Sequence, residues 1–187
     1  MLSLFMRLCL LTVFFTALPL QAKELEGVSM ADTIEVAGQT LQLNGLGLRE
    51  ATFLKIDIYV AGLYLEQKSQ NPNTIINSAG PKRLVLKFVH HAEKEKLTEA
   101  VKEGFENNGR SSKDLMAKIN QFNSYLVEMK EGQEMHFDFL ADGSTEVFVN
   151  NKHKGSIEGK NFSQGLLAIW LGPKPPNTGL KQGLLGK

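Results

Sequence analysis

The chain has 187 residues, 42% apolar and 22% charged, with 21 Lys+Arg against 20 Asp+Glu and a single cysteine. That length accommodates one domain with a sizeable core. The balanced charge lacks the basic footprint of a nucleic-acid-binding protein. One cysteine rules out an intramolecular disulfide framework and a multi-cysteine zinc site, and the apolar content rules out a disordered chain.

Residues 1–22 read as a secretory signal. Arg7 supplies the positive charge, Leu8 to Leu18 form the apolar stretch, Pro19 breaks it, and Leu20-Gln21-Ala22 offers a cleavage site. An uncleaved N-terminal anchor is the alternative, although the stretch is short for a bilayer span and no later segment approaches about 18 apolar residues. Cleavage removes Arg7 and Cys9. It leaves one domain, 23–187, with 20 basic and 20 acidic side chains and no integral membrane span. A cysteine-free chain has no thiol to mispair in an oxidising compartment, so the expected location is the periplasm.

Residues 23–32 are polar and predict a loose lead-in. Thr33–Val36 and Gln39–Leu43 predict short strands joined by an Ala37-Gly38 turn, and Asn44-Gly45-Leu46-Gly47-Leu48 reads as a glycine-rich break. Phe53–Leu65 predicts a long buried strand and Arg83–Val89 another, bounded by Gly80-Pro81. The period then changes. Leu97, Ala100, Val101, Gly104 and Phe105 mark one face of an amphipathic helix; Leu115, Ile119, Phe122 and Leu126 mark a second, with Ser111 or Ser112 as N-cap. Met135, Phe137 and Phe139 alternate with His136 and Asp138, predicting a half-exposed strand. Asp142-Gly143 turns it into Thr145–Val149, and Asn150-Asn151 turns again toward a strand near Ile157. Phe162–Leu171 predicts an apolar helix stopped by Gly172 and the following prolines, and Asn177 caps a last short helix ending near Gly186. The pattern is α+β: an open-faced, mainly antiparallel sheet with helices packed on one face.

Several motifs reduce to bland readings. Gly45-Leu46-Gly47 has Glu50 where a dinucleotide fingerprint needs its third glycine, and no βαβ unit follows. Ser163 sits in a nucleophile-elbow-like segment that lacks its first glycine and its preceding strand, so it reads as a cap or surface serine. His90 and His91 are adjacent and point to opposite strand faces, and His136 and His153 show no ligand spacing, so no metal site and no cofactor are expected. Arg49 is different. It follows the Gly-x-Gly segment and precedes the most apolar strand, which places it at the mouth of the core with Tyr59 ten residues on. Two readings stand: Arg49 pairs with a carboxylate such as Glu50 while Tyr59 fills the core, or the two form a binding pair.

These residues also carry a family resemblance. Asn44 to Arg49 resembles the Gly-x-Gly-x-Arg segment of the chalcone isomerase-like family, Ile58 to Glu66 is similar to its long strand, and Leu166 to Lys181 to its closing helices. The match spans most of residues 28–186 and resembles the secreted bacterial branch. It implies an open-faced sheet with helices packed on it. In the family's enzymes an arginine holds a phenolate during ring closure, and here Arg49 matches it. The enzymes' strand threonine is Tyr59, their helix lysine corresponds to Lys96, and their remaining polar positions fall on Glu93, Ala100 and Ile169. With those groups replaced, no catalytic residue is assigned. The family's fatty-acid-binding branch holds a carboxylate with an arginine and a tyrosine, which Arg49 and Tyr59 resemble.

Together with the secretory signal, the resemblance implies a periplasmic, non-catalytic protein that binds a small acidic amphiphile such as a fatty acid through Arg49, Tyr59 and Lys96. Leu54, Ile56, Ile58, Leu97, Val101, Phe105, Phe122, Leu166 and Trp170 are candidates for its apolar cleft. The alternatives are an isomerase or related lyase, in which Arg49 stabilises an oxyanion, and an envelope interaction protein with a closed core.

Overall fold

The computed structural model describes residues 22–51 and 55–187. The expected signal, but for Ala22, lies outside them, as do Thr52, Phe53 and Leu54. Among the described residues nine strands and five helices follow in chain order: β1 (Ala22–Leu25), β2 (Val28–Ala31), β3 (Thr33–Val36), β4 (Gln39–Ala51), β5 (Ile56–Leu65), α1 (Pro72–Asn77), β6 (Lys82–Phe88), α2 (Lys94–Asn107), α3 (Lys113–Tyr125), β7 (Glu134–Phe139), β8 (Thr145–Val149), β9 (Lys152–Ile157), α4 (Lys160–Leu171) and α5 (Thr178–Leu184). Strands β3 to β9 form one seven-stranded antiparallel meander in sequence order. Its β5–β6 connection carries α1 and its β6–β7 connection carries α2 and α3, while α4 and α5 follow β9. The architecture is α+β, an open antiparallel sheet with helices on one face.

The two faces divide by alternation. Tyr59, Ala61, Leu63 and Leu65 of β5 join Leu84, Leu86 and Phe88 of β6 and Met135, Phe137 and Phe139 of β7 beneath the helices. Helix α4 is the centre of this layer: Phe162, Leu166 and Trp170 are among its many buried residues, which fits a segment apolar on nearly every side. Val60 and Tyr64 point the other way and are covered by Met30 of β2, with the Tyr64 hydroxyl donating to the Ala31 carbonyl at 2.9 Å.

The lead-in is therefore not loose. Residues 22–31 form a hairpin, β1 with β2, whose turn residues Glu26 and Gly27 both have positive φ. That conformation matches the twist of two-residue hairpins, and Leu25, Val28 and Met30 give the ribbon an apolar side. Helix α1, in a stretch where no element is expected, starts because Asn71 accepts from the Asn73 and Thr74 amides and Pro72 occupies the first turn. His136 and Asp138 are buried rather than half-exposed. The His136 ring stacks on Phe148 with centroids 4.6 Å apart, and Arg83 grips Asp138 through two hydrogen bonds. Ser112 and Asn177 occupy N-cap positions, but neither side chain makes a capping bond.

The largest departure concerns the glycine-rich segment. It does not break the strand; β4 runs through it, with a register shift between Leu43 and Gly45. Asn44 at the shift is buried, donates to the Leu184 carbonyl at 2.7 Å and accepts from the Ser69 amide at 2.8 Å. A Cβ on Gly45 would collide with the Gly183 carbonyl, one on Gly47 with that of Leu180, and one on Gly183 with that of Leu46. The glycines serve backbone-to-backbone contact between β4 and α5.

Gly183→Ala is expected to destabilise the fold by about 1–3 kcal/mol or more, because neither backbone can yield cheaply. Gly179→Ala, which meets only the Asn177 amide nitrogen at 3.8 Å, should be neutral or stabilising by up to about 1 kcal/mol. Urea denaturation midpoints of the two variants read this contrast directly.

Candidate functional site

A cleft of about 740 Å³ opens between the helix-covered face of the sheet and α2. Its floor is Tyr59, Leu86, Phe88, Met135 and Phe137 from three adjacent strands; Leu97 and Val101 of α2 form the roof. Phe122, Leu126, Ile169 and Trp170 close the interior, and the Lys174-Pro175-Pro176 loop borders the mouth. Pockets of about 300–1,000 Å³ are the size that small organic ligands occupy.

The mouth is polar and mixed in sign. Arg49, Lys96 and Lys174 stand with Glu93, Glu99 and Glu103. Lys96 is on the exposed outer surface of α2, its side chain 74% accessible and ion-paired with Glu99 at 3.1 Å. That carboxylate raises the Lys96 pKa, chiefly through the hydrogen bond. Arg49 comes from the sheet and is only partly exposed. It lies directly across the β4–β5 ladder from Tyr59, next to a second register shift between Arg49 and Glu50. Such irregularities re-aim side chains at strand ends. The guanidinium donates to the Glu50 backbone carbonyl, and among the described residues no carboxylate forms an ion pair with it. The pairing reading with the Glu50 carboxylate is therefore not what the structure contains.

Tyr59 is buried, edge-on to Phe88 at 5.6 Å between centroids. Its hydroxyl oxygen accepts from the Trp170 indole N–H at 2.9 Å. Burial pushes the phenol pKa up, opposed by that hydrogen bond and by the Arg49 charge, so the hydroxyl keeps its proton at neutral pH. The arrangement sets a guanidinium and a protonated phenol beside an apolar cavity, a combination suited to a group with a negative head and a greasy body.

The structure brings Arg49 and Tyr59 together and leaves Lys96 at the outer rim. Ile58, Leu97, Val101, Phe122 and Trp170 line the cleft as expected, whereas Phe105 and Leu166 are fully buried core, Ile56 lies outside the lining and Leu54 is not among the described residues. The role of β6 and β7 as the cleft floor escapes sequence reasoning, because the pattern that predicts each strand announces burial without saying whether a neighbour or a cavity lies opposite. The Trp170–Tyr59 bond had one signal: a buried indole N–H needs an acceptor. Ser163 donates to the Lys160 carbonyl at 3.1 Å, an ordinary helix back-bond.

The sequence profile of the chalcone isomerase-like family matches residues 22–186, and the chain belongs to that family. No curated protein matches it in sequence. Among solved structures it is similar to a fatty-acid binding protein of Arabidopsis thaliana, with a TM-score of 0.69 and 16% identity over 88% of this chain and 96% of the other. At that identity the likeness establishes the shared fold.

Tyr59→Phe is expected to cost about 1–3 kcal/mol of stability, because the buried Trp170 N–H loses its acceptor while the ring is kept. Equilibrium denaturation followed by the fluorescence of Trp170, the chain's one tryptophan, measures the loss.

Proposed function

We propose that the protein binds a small acidic amphiphile, most simply a fatty acid, and does so without catalysing a reaction on it. The observation that carries this reading is Arg49, a partly buried guanidinium without a carboxylate partner among the described residues, at the mouth of an apolar cleft. Tyr59 supplies a second donor beside it. The Arabidopsis neighbour of the same fold, a fatty-acid binding protein, adds support from outside the chain.

The energies assign the roles. A charge-assisted contact at the head contributes about 1.5–3 kcal/mol net, whereas each buried methylene contributes about 0.8 kcal/mol before the cost of association. The tail supplies most of the affinity; Arg49 and Tyr59 fix orientation and select acids. Lys96 attracts the incoming anion at the rim, in competition with Glu99, and its contribution is small because exposed pairs are screened by solvent. The reading places the protein in the periplasm as the chain from residue 23, after removal of the N-terminal signal. N-terminal sequencing of protein from an envelope fraction tests that placement, and retention of residues 1–22 contradicts it.

Calorimetric titration of delipidated protein with laurate tests the binding. Arg49→Ala should weaken laurate about tenfold or more, and Lys96→Ala less than about fivefold. Unchanged laurate affinity in Arg49→Ala overturns the assignment. Turnover of a chalcone that is lost in the same variant would instead favour an isomerase.

A further inference from the structure

We propose that Trp170 is a positioning residue that makes the head-group site donor-only, so that the cleft selects an ionised acid over a neutral alcohol of the same length. The inference rests on the binding reading above and extends it from the two residues at the head to a third behind them.

A tyrosine hydroxyl is ordinarily ambivalent. It carries one proton and two lone pairs, so it can donate to a carboxylate or accept from an alcohol, depending on where the O–H rotates. An indole N–H has no such freedom, because it can only donate. The Trp170 Nε1 to Tyr59 hydroxyl separation is 2.9 Å and both side chains are buried, so the indole proton occupies one side of the phenol oxygen. The phenol proton must point elsewhere. Among the described residues the Tyr59 hydroxyl donates to no acceptor, although Tyr59 lines the cleft and pairs across the strands with Arg49. Its proton is thus left for whatever occupies the head-group position.

The result is a site without ambiguity. Arg49 offers only N–H donors, and Tyr59 is held as a donor by Trp170. A carboxylate, which only accepts, satisfies both. A primary alcohol can accept one of these bonds, but its own O–H meets two donors, and an unsatisfied buried polar group carries a desolvation cost. Trp170 is itself fixed in place. Its helix is buried along most of its length, and its ring lies over Phe137 with centroids 6.0 Å apart.

The test compares laurate with dodecan-1-ol on four proteins: wild type, Trp170→Phe, Tyr59→Phe and the double variant. Loss of packing in Trp170→Phe affects both ligands alike, so the acid-to-alcohol affinity ratio isolates the hydrogen bond. That ratio should fall about three- to tenfold in Trp170→Phe and show no further fall when Tyr59→Phe is already present. As a ligand-free check, the single indole N–H resonance should lose hydrogen-exchange protection in Tyr59→Phe. An unchanged ratio in Trp170→Phe, with laurate binding still dependent on Arg49, overturns this inference alone. So does a fall that persists undiminished on the Tyr59→Phe background. Failure of wild-type protein to bind laurate overturns the binding reading and this inference with it.

Discussion

The contact between the backbones of β4 and α5 determines where the rest of the site can be. Helix α5 rests on the strand through Gly45, Gly47 and Gly183, and Asn44 ties the end of that helix to the strand and to Ser69. Sheets stacked through ordinary side chains stand about 10 Å apart; removing the Cβ atoms on both sides of a helix–strand contact lets the polypeptides touch. The approach matters beyond stability. It fixes the chain after α4, so the 172–177 loop is drawn across the cleft mouth, pinned by Asn177 to the Leu48 carbonyl and by Asn108 to Lys174. Helix α4 then has little freedom to slide, and Trp170 on its last turn stays opposite Tyr59.

The same strand pair carries the polar end of the cleft. Cross-strand neighbours on one sheet face lie close enough to interact, and Arg49 with Tyr59 is such a pair. Arg49 lowers the phenol pKa while burial raises it, and burial is the larger effect. A tyrosinate would be a poor companion for an anionic ligand, whereas a neutral phenol adds a donor without adding charge. Burial of Tyr59 and exposure of Lys96 therefore divide the basic environment into a fixed donor pair within and a solvated charge outside.

Much of the fold was legible because periodicity reports burial. The amphipathic stripe of α2, the all-round apolarity of α4 and the alternation of β7 and β8 each fix an element type from the chain alone. The failures share a cause: a residue's neighbours in space are not written in its neighbours along the chain. Gly45 and Gly47 look like a flexible break until Gly183, far along the chain, is seen against them. His136 and Asp138 look half-exposed until Phe148 and Arg83 cover them. At the candidate site, the closeness of Arg49 to Tyr59 was readable from their place around an apolar strand, with the family resemblance to weight it. The roles of Leu86, Phe88, Met135 and Phe137 were not, since a core strand and a cavity floor have the same sequence pattern.

The pairing of Arg49 bears on whether the cleft is a site or a packing defect. A guanidinium that served the fold would be expected to meet a carboxylate, as Arg83 does on the opposite face of the sheet, where Asp138 takes two of its donors. Among the described residues Arg49 donates to a single backbone carbonyl instead, within a chain that holds 20 carboxylate side chains. A partly buried cation costs free energy where its donors go unbonded, and an apolar cavity beside it adds the lost packing of its walls. Each cost alone could be an accident of the fold. Placed at the same mouth, both would be offset by one event, the entry of the proposed ligand with an anionic head and an apolar body.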